Sequence, residues 1–226
     1  MSIEIKHSKR RISYKNAMKF LNQRVAQIKE NKKPELLWIL EHPTTYTAGI
    51  RHNKNDILDH SIKVIETNRG GKITLHGPGQ KIVYLVIDLN KRKKDIRKLV
   101  TIIENSIIEF LKIYKIFGKP DRKNIGIWVK GKKIAAIGLK ISKWIAFHGC
   151  SINIKNNLDH YLKIIPCGLD NKKVTSILNE NNSKIINVEN NLTKIFIKNL
   201  STNCKTNLSY LDQLILDRFL IYSRFI

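Results

Sequence analysis

Four glycines, an arginine and a histidine occur together in RGGKITLHGPGQ, at residues 69–80, with no carboxylate among them. Glycine-rich loops let backbone N–H groups approach an anion, so phosphate binding is one chemistry to consider for this stretch. The spacing, however, matches neither the Walker motif nor the dinucleotide-binding fingerprint. Taken by itself, the stretch is better interpreted as a surface loop between two strands.

A second candidate for chemistry is Cys167, which lies in IIPCGL between a proline and a glycine. Proline fixes the backbone before the thiol and glycine frees it afterwards, so the sulfur is held on a stiff bend. A structural cysteine is more typical of an apolar strand or helix, where we expect Cys150. The bend is an uncommon place for mere packing and makes Cys167 a candidate nucleophile, but single cysteines are usually inert, so taken alone an inert thiol is the commoner outcome.

A nucleophilic cysteine reacts as the thiolate, and a nearby cation is the usual means of lowering its pKa. Lys133 is a candidate because it opens KIAAIG, whose small residues allow another backbone to come close. His76 and His148, each followed by glycine, are candidate bases. Structural roles stay open for all three: a solvated hairpin lysine, and histidines hydrogen-bonded within the fold.

Metal-dependent chemistry is not indicated by the sequence. The histidines and cysteines at positions 148, 150, 160 and 167 match no usual zinc spacing, and no two cysteines are close in sequence. The G-x-S-x-G elbow of serine hydrolases is also missing. We therefore expect a site without a metal.

Two segments that could position these residues have apolar side chains at the period of an α-helix. The first follows Ser13, a candidate N-cap, and the second, the clearest in the chain, begins near Asp95. Further helices are expected over 195–200 and 208–219. The apolar faces of the first two helices consist of Ala17, Phe20, Leu21, Val25 and Ile28, and of Ile96, Leu99, Val100, Ile103, Ile107 and Phe110.

Short apolar runs rich in β-branched residues predict a sheet, and Gly131 between two of them predicts a tight hairpin. Residues 155–182 are loop-like apart from a short turn at 158–162. Together these elements predict an α+β protein, a single domain over residues 1–226, with a mixed sheet flanked by helices. The predicted strands are 35–40, 63–67, 81–89, 125–130, 132–139, 144–149 and 150–154.

The charge is strongly positive, with 42 basic against 18 acidic residues and a net charge of +24. Such a balance is compatible with a nucleic acid, an anionic membrane or an acidic protein as partner. Lysine, isoleucine and asparagine are frequent throughout the chain, as in proteins encoded by A/T-rich genes. Since no nucleic-acid-binding module accompanies the charge, we interpret it as a general attraction to something acidic with the partner left open, and we expect neither a nucleic acid nor a membrane.

The remaining features favour a cytoplasmic protein. No apolar run reaches the length of a membrane-spanning helix. The first residues, MSIEIKHSKRRISYKN, lack the apolar stretch of a signal peptide. Three unevenly spaced cysteines do not suggest a disulfide framework, so a reducing compartment is expected.

Four stretches carry a resemblance that the single motifs do not: RGGKITLHGPGQKIVYLVIDL, GIWVKGKKIAAIGLKI, FHGCSINI and PCGL. In this order and spacing they resemble the octanoyltransferases of lipoate biosynthesis, the lipoyl(octanoyl) transferase family. The match runs from about residue 36 to 177, and it fades beyond about residue 179. The combination is specific, whereas no single motif is.

This resemblance implies a transferase that moves an octanoyl group through a cysteine acyl-thioester. It places the nucleophile at Cys167, and at Lys133 the residue that lowers its pKa and shuttles protons. It implies an α/β architecture related to biotin and lipoate ligases, and no cofactor. The residues it places around the acyl substrate are Arg69, Gly70, Gly71, Lys72, Ile73, Thr74, Leu75, His76, Ala136, Ile137, Gly138, Gly149, Cys150 and Ser151.

The implied partners are proteins. The donor is octanoyl-acyl carrier protein, and the acceptors are apo lipoyl domains of 2-oxoacid dehydrogenase E2 subunits and the glycine cleavage H protein. Two positions depart from the family pattern: Leu75 replaces an aromatic residue, which could retune the acyl slot, and Cys150 replaces an apolar one, for which we expect packing.

Two other functions are compatible with parts of the sequence. An ATP-dependent lipoate–protein ligase shares the fold and the RGG segment but has no need of Cys167. A basic nucleic-acid-binding protein would account for the charge, and would require lysines gathered on one face and affinity that falls steeply with salt.

Overall fold

Two β-sheets, of seven and three strands, organise the described part of the chain. The computed structural model describes residues 2–121, 124–166, 174–182 and 184–202. The strands are β1 (Ile3–His7), β2 (Glu35–Leu40), β3 (Thr45–Ala48), β4 (Val64–Glu66), β5 (Ile73–His76), β6 (Gln80–Asp88), β7 (Lys119–Pro120), β8 (Gly126–Val129), β9 (Lys132–Ser142) and β10 (Ile145–Asn153).

The large sheet has the order β1-β2-β6-β10-β9-β8-β7. β1 pairs with β2 in parallel, and each of the other neighbouring pairs is antiparallel. The sheet is therefore mixed, as the sequence predicts. The turn between β8 and β9 consists of Lys130 and Gly131, both with positive φ (47° and 76°), which is the backbone of a tight two-residue hairpin.

Four helices accompany the sheets in the described residues: α1 (Tyr14–Lys29), α2 (Ile96–Lys112), α3 (Ile177–Glu180) and α4 (Val188–Thr202). Ser13 caps α1 by accepting a hydrogen bond from the backbone of Asn16, and Asp95 caps α2 by accepting one from Lys98. Both caps confirm the predicted helix starts. The predicted helix at 208–219 lies outside the described residues.

The central strands are buried on both faces, and the period of two along a strand divides their side chains between two cores. Along β2, Leu37 and Ile39 pack in the core formed with α2 and α4, whereas Leu36, Trp38 and Leu40 pack in the core formed with α1. β6 divides its side chains in the same way. Helices thus cover both faces of the large sheet, and the α+β prediction is confirmed.

The small sheet, in the order β4-β3-β5, corrects the loop interpretation of the glycine-rich stretch. Residues 73–76 form the buried strand β5, antiparallel to β3, and residue 80 begins β6. The two strands predicted at 144–149 and 150–154 are a single strand, β10. The short helix α3 lies in a region predicted to be loop-like.

Candidate active site

A cavity with an empty volume of about 460 Å³ lies where the stretch after residue 68 meets the middle of β9 and β10. Part of this space is open to solvent. Eleven of the residues predicted around the substrate line it: Arg69, Gly70, Gly71, Thr74, His76, Ala136, Ile137, Gly138, Gly149, Cys150 and Ser151. Three segments that are distant in sequence therefore meet at one site.

The three other residues predicted to surround the substrate are not among those that line this cavity. Because side chains alternate along β5, Thr74 and His76 face the cavity, while Ile73 and Leu75 pack in a separate apolar cluster with Tyr46 and its neighbours. Leu75, which differs from the family pattern, therefore lies beneath the site. The backbone carbonyl of Lys72 accepts a hydrogen bond from Gly49.

Glycine allows the backbones around the cavity to approach one another closely. The N–H of Gly70 donates to the carbonyl of Leu139 at 3.2 Å, so the stretch after residue 68 rests on β9. A Cβ atom at Gly138 would lie only 3.2 Å from the Gly70 carbonyl oxygen. Gly71 has a φ of +90°, which L-residues with side chains rarely adopt. Any larger residue at these positions would widen or fill the cavity.

Arg69 places a buried positive charge at the cavity. Its Nη2 donates to the carbonyl and hydroxyl oxygens of Thr47, both at 2.8 Å, and its Nη1 donates to the carbonyl of Gly70 at 3.0 Å. These bonds fix the guanidinium in one orientation. A fixed cation next to a cavity stabilises negative charge that develops on a carbonyl oxygen during acyl transfer.

The histidines at the site are neutral at neutral pH. Burial lowers the pKa of His76 to about 3, and the neighbouring charges of His42 and Arg69 act in the same direction. Burial also lowers the pKa of His148 to about 3, helped by Arg69 and Lys140. The rings therefore act at neutral pH through hydrogen bonds of the uncharged imidazole.

His148 combines two features that are uncommon in a strand residue. Its φ is +70°, a strained value for a residue other than glycine, and its buried Nε2 has no hydrogen-bond partner among the residues that the structure describes. The ring lies 5.0 Å from the Phe147 ring and 6.4 Å from the Tyr84 ring, measured between centroids. A strained backbone and an unused nitrogen beside a cavity are costs that a ligand-binding role would explain.

Cys150 is a packing residue as well as part of the cavity wall. Its side chain belongs to the core shared with α2 and α4, and burial raises the pKa of its thiol well above the usual value. The thiol is therefore neutral at physiological pH and lacks the thiolate that a nucleophile requires. The structure agrees with the packing role expected for this cysteine.

Lys133 is buried, with 7% of its surface exposed, so the alternative of a solvated hairpin lysine is wrong. Its Nζ donates to the carbonyl of Ile125 at 3.1 Å and lies 4.9 Å from the centre of the Trp128 ring. The backbone of Lys133 pairs with Val174, and its carbonyl accepts from Thr175 at 2.9 Å. Lys133 is not among the residues that line the cavity.

Cys167 lies outside the described residues, within 167–173. The described chain resumes at Val174, the residue that pairs with Lys133. The segment that contains the predicted nucleophile is thus continuous with the partner of the predicted lysine. The distance between the two side chains stays a prediction.

Four residues of the cavity wall are absent from the predicted substrate set: Tyr14, Ile82, Tyr84 and His148. Ile82 and Tyr84 are two apart on β6, so strand alternation could have identified one once the other was known. Tyr14 comes from the first turn of α1, and no local pattern connects it with the glycine-rich stretch. His148 was considered from the sequence only as a candidate base.

Within residues 2–121, 124–166, 174–182 and 184–202, no group of three or more histidine, cysteine, aspartate or glutamate side chains could hold a metal ion. The polar groups of the cavity wall are instead one arginine, neutral histidines and tyrosines, hydroxyls and backbone amides. Such a set can orient and polarise a carbonyl compound. An apolar chain could lie against Ile82, Ile137 and Cys150.

Comparison with known folds and families defines the class of protein. The family model for the lipoyl protein ligase A/B catalytic domain matches residues 13–214. The structure of lipoate-protein ligase A bound with ATP superposes with a TM-score of 0.70 at 14% identity, covering 88% of this chain and 86% of that one. A bipartite lipoate protein ligase from Thermoplasma acidophilum gives 0.66 at 14% identity, covering 89% and 84%. These likenesses show a lipoate-ligase fold.

More similar sequences define the family within this class. The octanoyltransferase of Bartonella tribocorum is 42% identical over 78% of this chain and 78% of its own length. That of a Wolbachia from Brugia malayi is 44% identical over 74% of this chain and 83% of its own length. The chain belongs to the octanoyltransferase family, and its members are acyltransferases.

None of the helices in the described residues is both long enough and apolar enough to cross a membrane.

Proposed function

We propose that this protein transfers an octanoyl group from octanoyl-acyl carrier protein to a lysine of a lipoyl domain, through a thioester on Cys167. The observation that supports this most directly is the meeting of three distant motif segments at one cavity, which contains a buried arginine and an apolar wall. Such a site accommodates an acyl chain and its carbonyl together. The identity of the acyl group, octanoyl, is inferred from membership of the octanoyltransferase family.

The reaction needs no ATP. In the first half-reaction the Cys167 thiolate forms a bond to the octanoyl carbon and the carrier thiolate leaves, so one thioester replaces another at nearly equal free energy. In the second half-reaction the lysine amine forms an amide, the bond to Cys167 breaks, and the amine proton goes to the departing sulfur. Amide formation from a thioester is downhill, which drives the cycle forward.

The acyl chain contributes binding free energy through the hydrophobic effect. At about 0.8 kcal/mol per buried CH₂ group, an eight-carbon chain gains several kcal/mol in an apolar slot. Ile82, Ile137 and Cys150 are the apolar residues of the wall suited to this contact. Arg69, held by Thr47, is placed to stabilise the negative charge on the carbonyl oxygen in each half-reaction.

Lipoyl domains of 2-oxoacid dehydrogenase E2 subunits and the glycine cleavage H protein are the proposed acceptors. Carrier proteins and lipoyl domains are generally acidic, whereas this chain has a net charge of +24. Opposite charges raise the rate at which two proteins associate, and this increase becomes smaller as the salt concentration rises. The charge therefore suits a protein that must meet a donor and an acceptor in turn.

The direct test is intact-mass measurement after incubation with octanoyl-acyl carrier protein in the absence of ATP. We expect the enzyme to gain one octanoyl group, to lose it on treatment with neutral hydroxylamine, and to pass it to an added apo lipoyl domain. If the enzyme forms no adduct without ATP, and the lipoyl domain is instead octanoylated from free octanoate when ATP is present, the protein is a ligase and this proposal is wrong. Tight, salt-sensitive RNA binding without acyl transfer would favour a nucleic-acid-binding protein.

Replacing Lys133 with alanine is expected to raise the pH at which Cys167 is alkylated and to slow acyl-enzyme formation about a hundredfold, because the cation that favours the thiolate is lost. The measurement is the rate of iodoacetamide labelling at Cys167 as a function of pH. Lys132→Ala is the matched control: the neighbouring side chain is partly exposed and pairs with Glu180 at 3.5 Å. Identical alkylation profiles for the two variants would remove Lys133 from this role.

A further inference from the structure

A buried chain of hydrogen bonds connects the cavity with the residues that follow segment 167–173. His76 Nδ1 lies 3.0 Å from Gln80 Oε1, Gln80 Nε2 lies 2.9 Å from Asn153 Oδ1, and Asn153 Nδ2 lies 2.9 Å from the Thr175 carbonyl oxygen. All four residues are buried, with at most 7% of their surface exposed. Buried polar groups are paired within the protein, and Tyr161 and Asn156 add further hydrogen bonds to Gln80 and Asn153.

Two backbone carbonyl groups that contact this chain, those of Thr175 and Leu75, fix the direction of its bonds. A carbonyl oxygen can only accept, so the Asn153 atom facing Thr175 is the donating Nδ2, and its Oδ1 faces Gln80. Gln80 therefore presents its Nε2 to Asn153, in agreement with its second contact, 3.2 Å from the carbonyl of Leu75. The Oε1 of Gln80 is left facing His76.

This arrangement determines the tautomer of His76. Because Gln80 Oε1 has no proton to give, His76 Nδ1 must carry the hydrogen and donate it. The neutral ring has only one N–H group, so Nε2 keeps a free lone pair. The ring is held in place by the Tyr14 ring, stacked with a centroid distance of 6.0 Å and an interplanar angle of 10°, and both side chains line the cavity.

A hydrogen-bond acceptor is what the second half-reaction requires. The attacking amine directs its lone pair at the thioester carbon, so its N–H bonds need acceptors, and one proton must finally leave. Arg69 has no lone pair to offer, the neutral thiol of Cys150 is a weak acceptor, and the hydroxyl oxygens of Tyr14, Thr74, Tyr84 and Ser151 are much less basic than an imidazole nitrogen. His148 also lines the cavity, but within the described part of the chain its Nε2 has no partner that fixes which nitrogen carries the proton.

We propose that Nε2 of His76 accepts a hydrogen bond from the attacking lysine amine during transfer from the acyl-enzyme. Gln80 is the positioning residue, because it fixes the tautomer that leaves Nε2 without a proton. The inference rests on the proposed function. As the C–N bond forms and the C–S bond of Cys167 breaks, the amine proton ends on the departing thiolate, while the uncharged imidazole orients the amine by accepting a hydrogen bond from one of its N–H groups. Atoms and charges balance: a thioester and an amine become an amide and a thiol.

The test separates the two half-reactions. Acyl-enzyme formation is timed by intact mass, and single-turnover transfer is timed from isolated acyl-enzyme to apo lipoyl domain. For His76→Ala we expect transfer to fall about a hundredfold, the order of effect of misplacing a reacting group, and at least tenfold further than acylation falls. Exogenous imidazole should restore part of the transfer rate, measured as octanoylated lipoyl domain.

Two further variants keep the test decisive. His76→Phe retains the ring stacked on Tyr14, which protects folding, and should show the same selective loss of transfer without rescue by imidazole. Gln80→Leu removes the acceptor that fixes the tautomer and should slow transfer about tenfold or more, with a smaller effect on acylation. The control is His60→Ala, which replaces an exposed histidine and should leave both half-reactions unchanged.

The outcomes are distinguishable. If wild-type enzyme forms no acyl-enzyme, the proposed function fails, and the inference fails with it. If the acyl-enzyme forms but the His76 variants lose both half-reactions equally, or transfer at the wild-type rate, the proposed function stands and the role of His76 is wrong. A selective loss of transfer that imidazole restores in His76→Ala supports the role.

Discussion

Cys167→Ser is expected to abolish acyl-enzyme formation, slowing it by about a thousandfold or more. The thiolate is the reactive form of cysteine, and a neighbouring cation, the role proposed for Lys133, can bring a thiol into its ionised form at neutral pH. A serine hydroxyl is far less acidic, so the same cation leaves it protonated. The measurement is the intact mass of the variant after exposure to octanoyl-acyl carrier protein, compared with wild type over the same time.

Cys150→Ala is the matched control, because Cys150 is a thiol that lines the cavity. Burial raises the pKa of Cys150, so it stays protonated at the pH of the assay. This variant should still form the adduct, with at most a several-fold change in rate because the cavity wall is altered. An octanoyl group recovered on Cys150, or undiminished acylation of Cys167→Ser, would transfer the nucleophilic role to another residue.

The core of the fold could be predicted because its sequence patterns are strong. α1 and α2 have a capping residue followed by apolar positions at helical spacing, and both begin where the caps predict. The strands β2 and β6 are continuous apolar runs, which is the signature of strands buried on both faces. Successive side chains of these strands pack alternately in the core with α1 and in the core with α2 and α4. Because both faces are buried, both are apolar, and the sequence does not alternate between apolar and polar residues.

Short strands were missed because their stability comes from their partners. β1 is half exposed and polar at every second position, and it is held by parallel pairing with β2. β3 and β5 have four residues each and pair with each other across the stretch between residues 48 and 73. Although TYTA and ITLH contain β-branched and aromatic residues, both runs are short and are flanked by glycine and proline, so the local pattern favours a loop and tertiary pairing overrides it.

The candidate site was predictable only through the combination of motifs. Neither the glycine-rich stretch nor KIAAIG identifies a function alone, and their meeting depends on β6, β9 and β10 being neighbours in the sheet. The role of Gln80 could not be predicted at all, since it depends on contacts with Asn153 and His76 that only the folded chain provides. Proton positions in a buried network follow from geometry, not from residue type.

Gly149→Ala is expected to destabilise the fold by about 3 kcal/mol or more, at the upper end of what overpacking costs. Gly149 lies opposite Tyr84 of β6 and Gly138 of β9, in the middle of the large sheet. An added Cβ would lie far inside van der Waals contact with the Val83 carbonyl oxygen, 3.1 Å from the Val83 carbonyl carbon and 3.3 Å from the Tyr84 Cα. These are backbone atoms of a central strand, so relief requires β6 and β10 to move apart.

Gly77→Ala is the matched control for this effect, since it adds the same methyl group at a buried glycine near the site. At Gly77 the nearest atom to an added Cβ is the Thr44 hydroxyl oxygen at 3.8 Å, an ordinary van der Waals contact. Urea unfolding should therefore show a free energy of unfolding within about 1 kcal/mol of wild type for Gly77→Ala, and a much lower one for Gly149→Ala. Equal stability of the two variants would mean that β6 and β10 are less tightly apposed than their pairing indicates. Because Gly149 lines the cavity, even a partly folded Gly149→Ala population should bind the acyl substrate poorly.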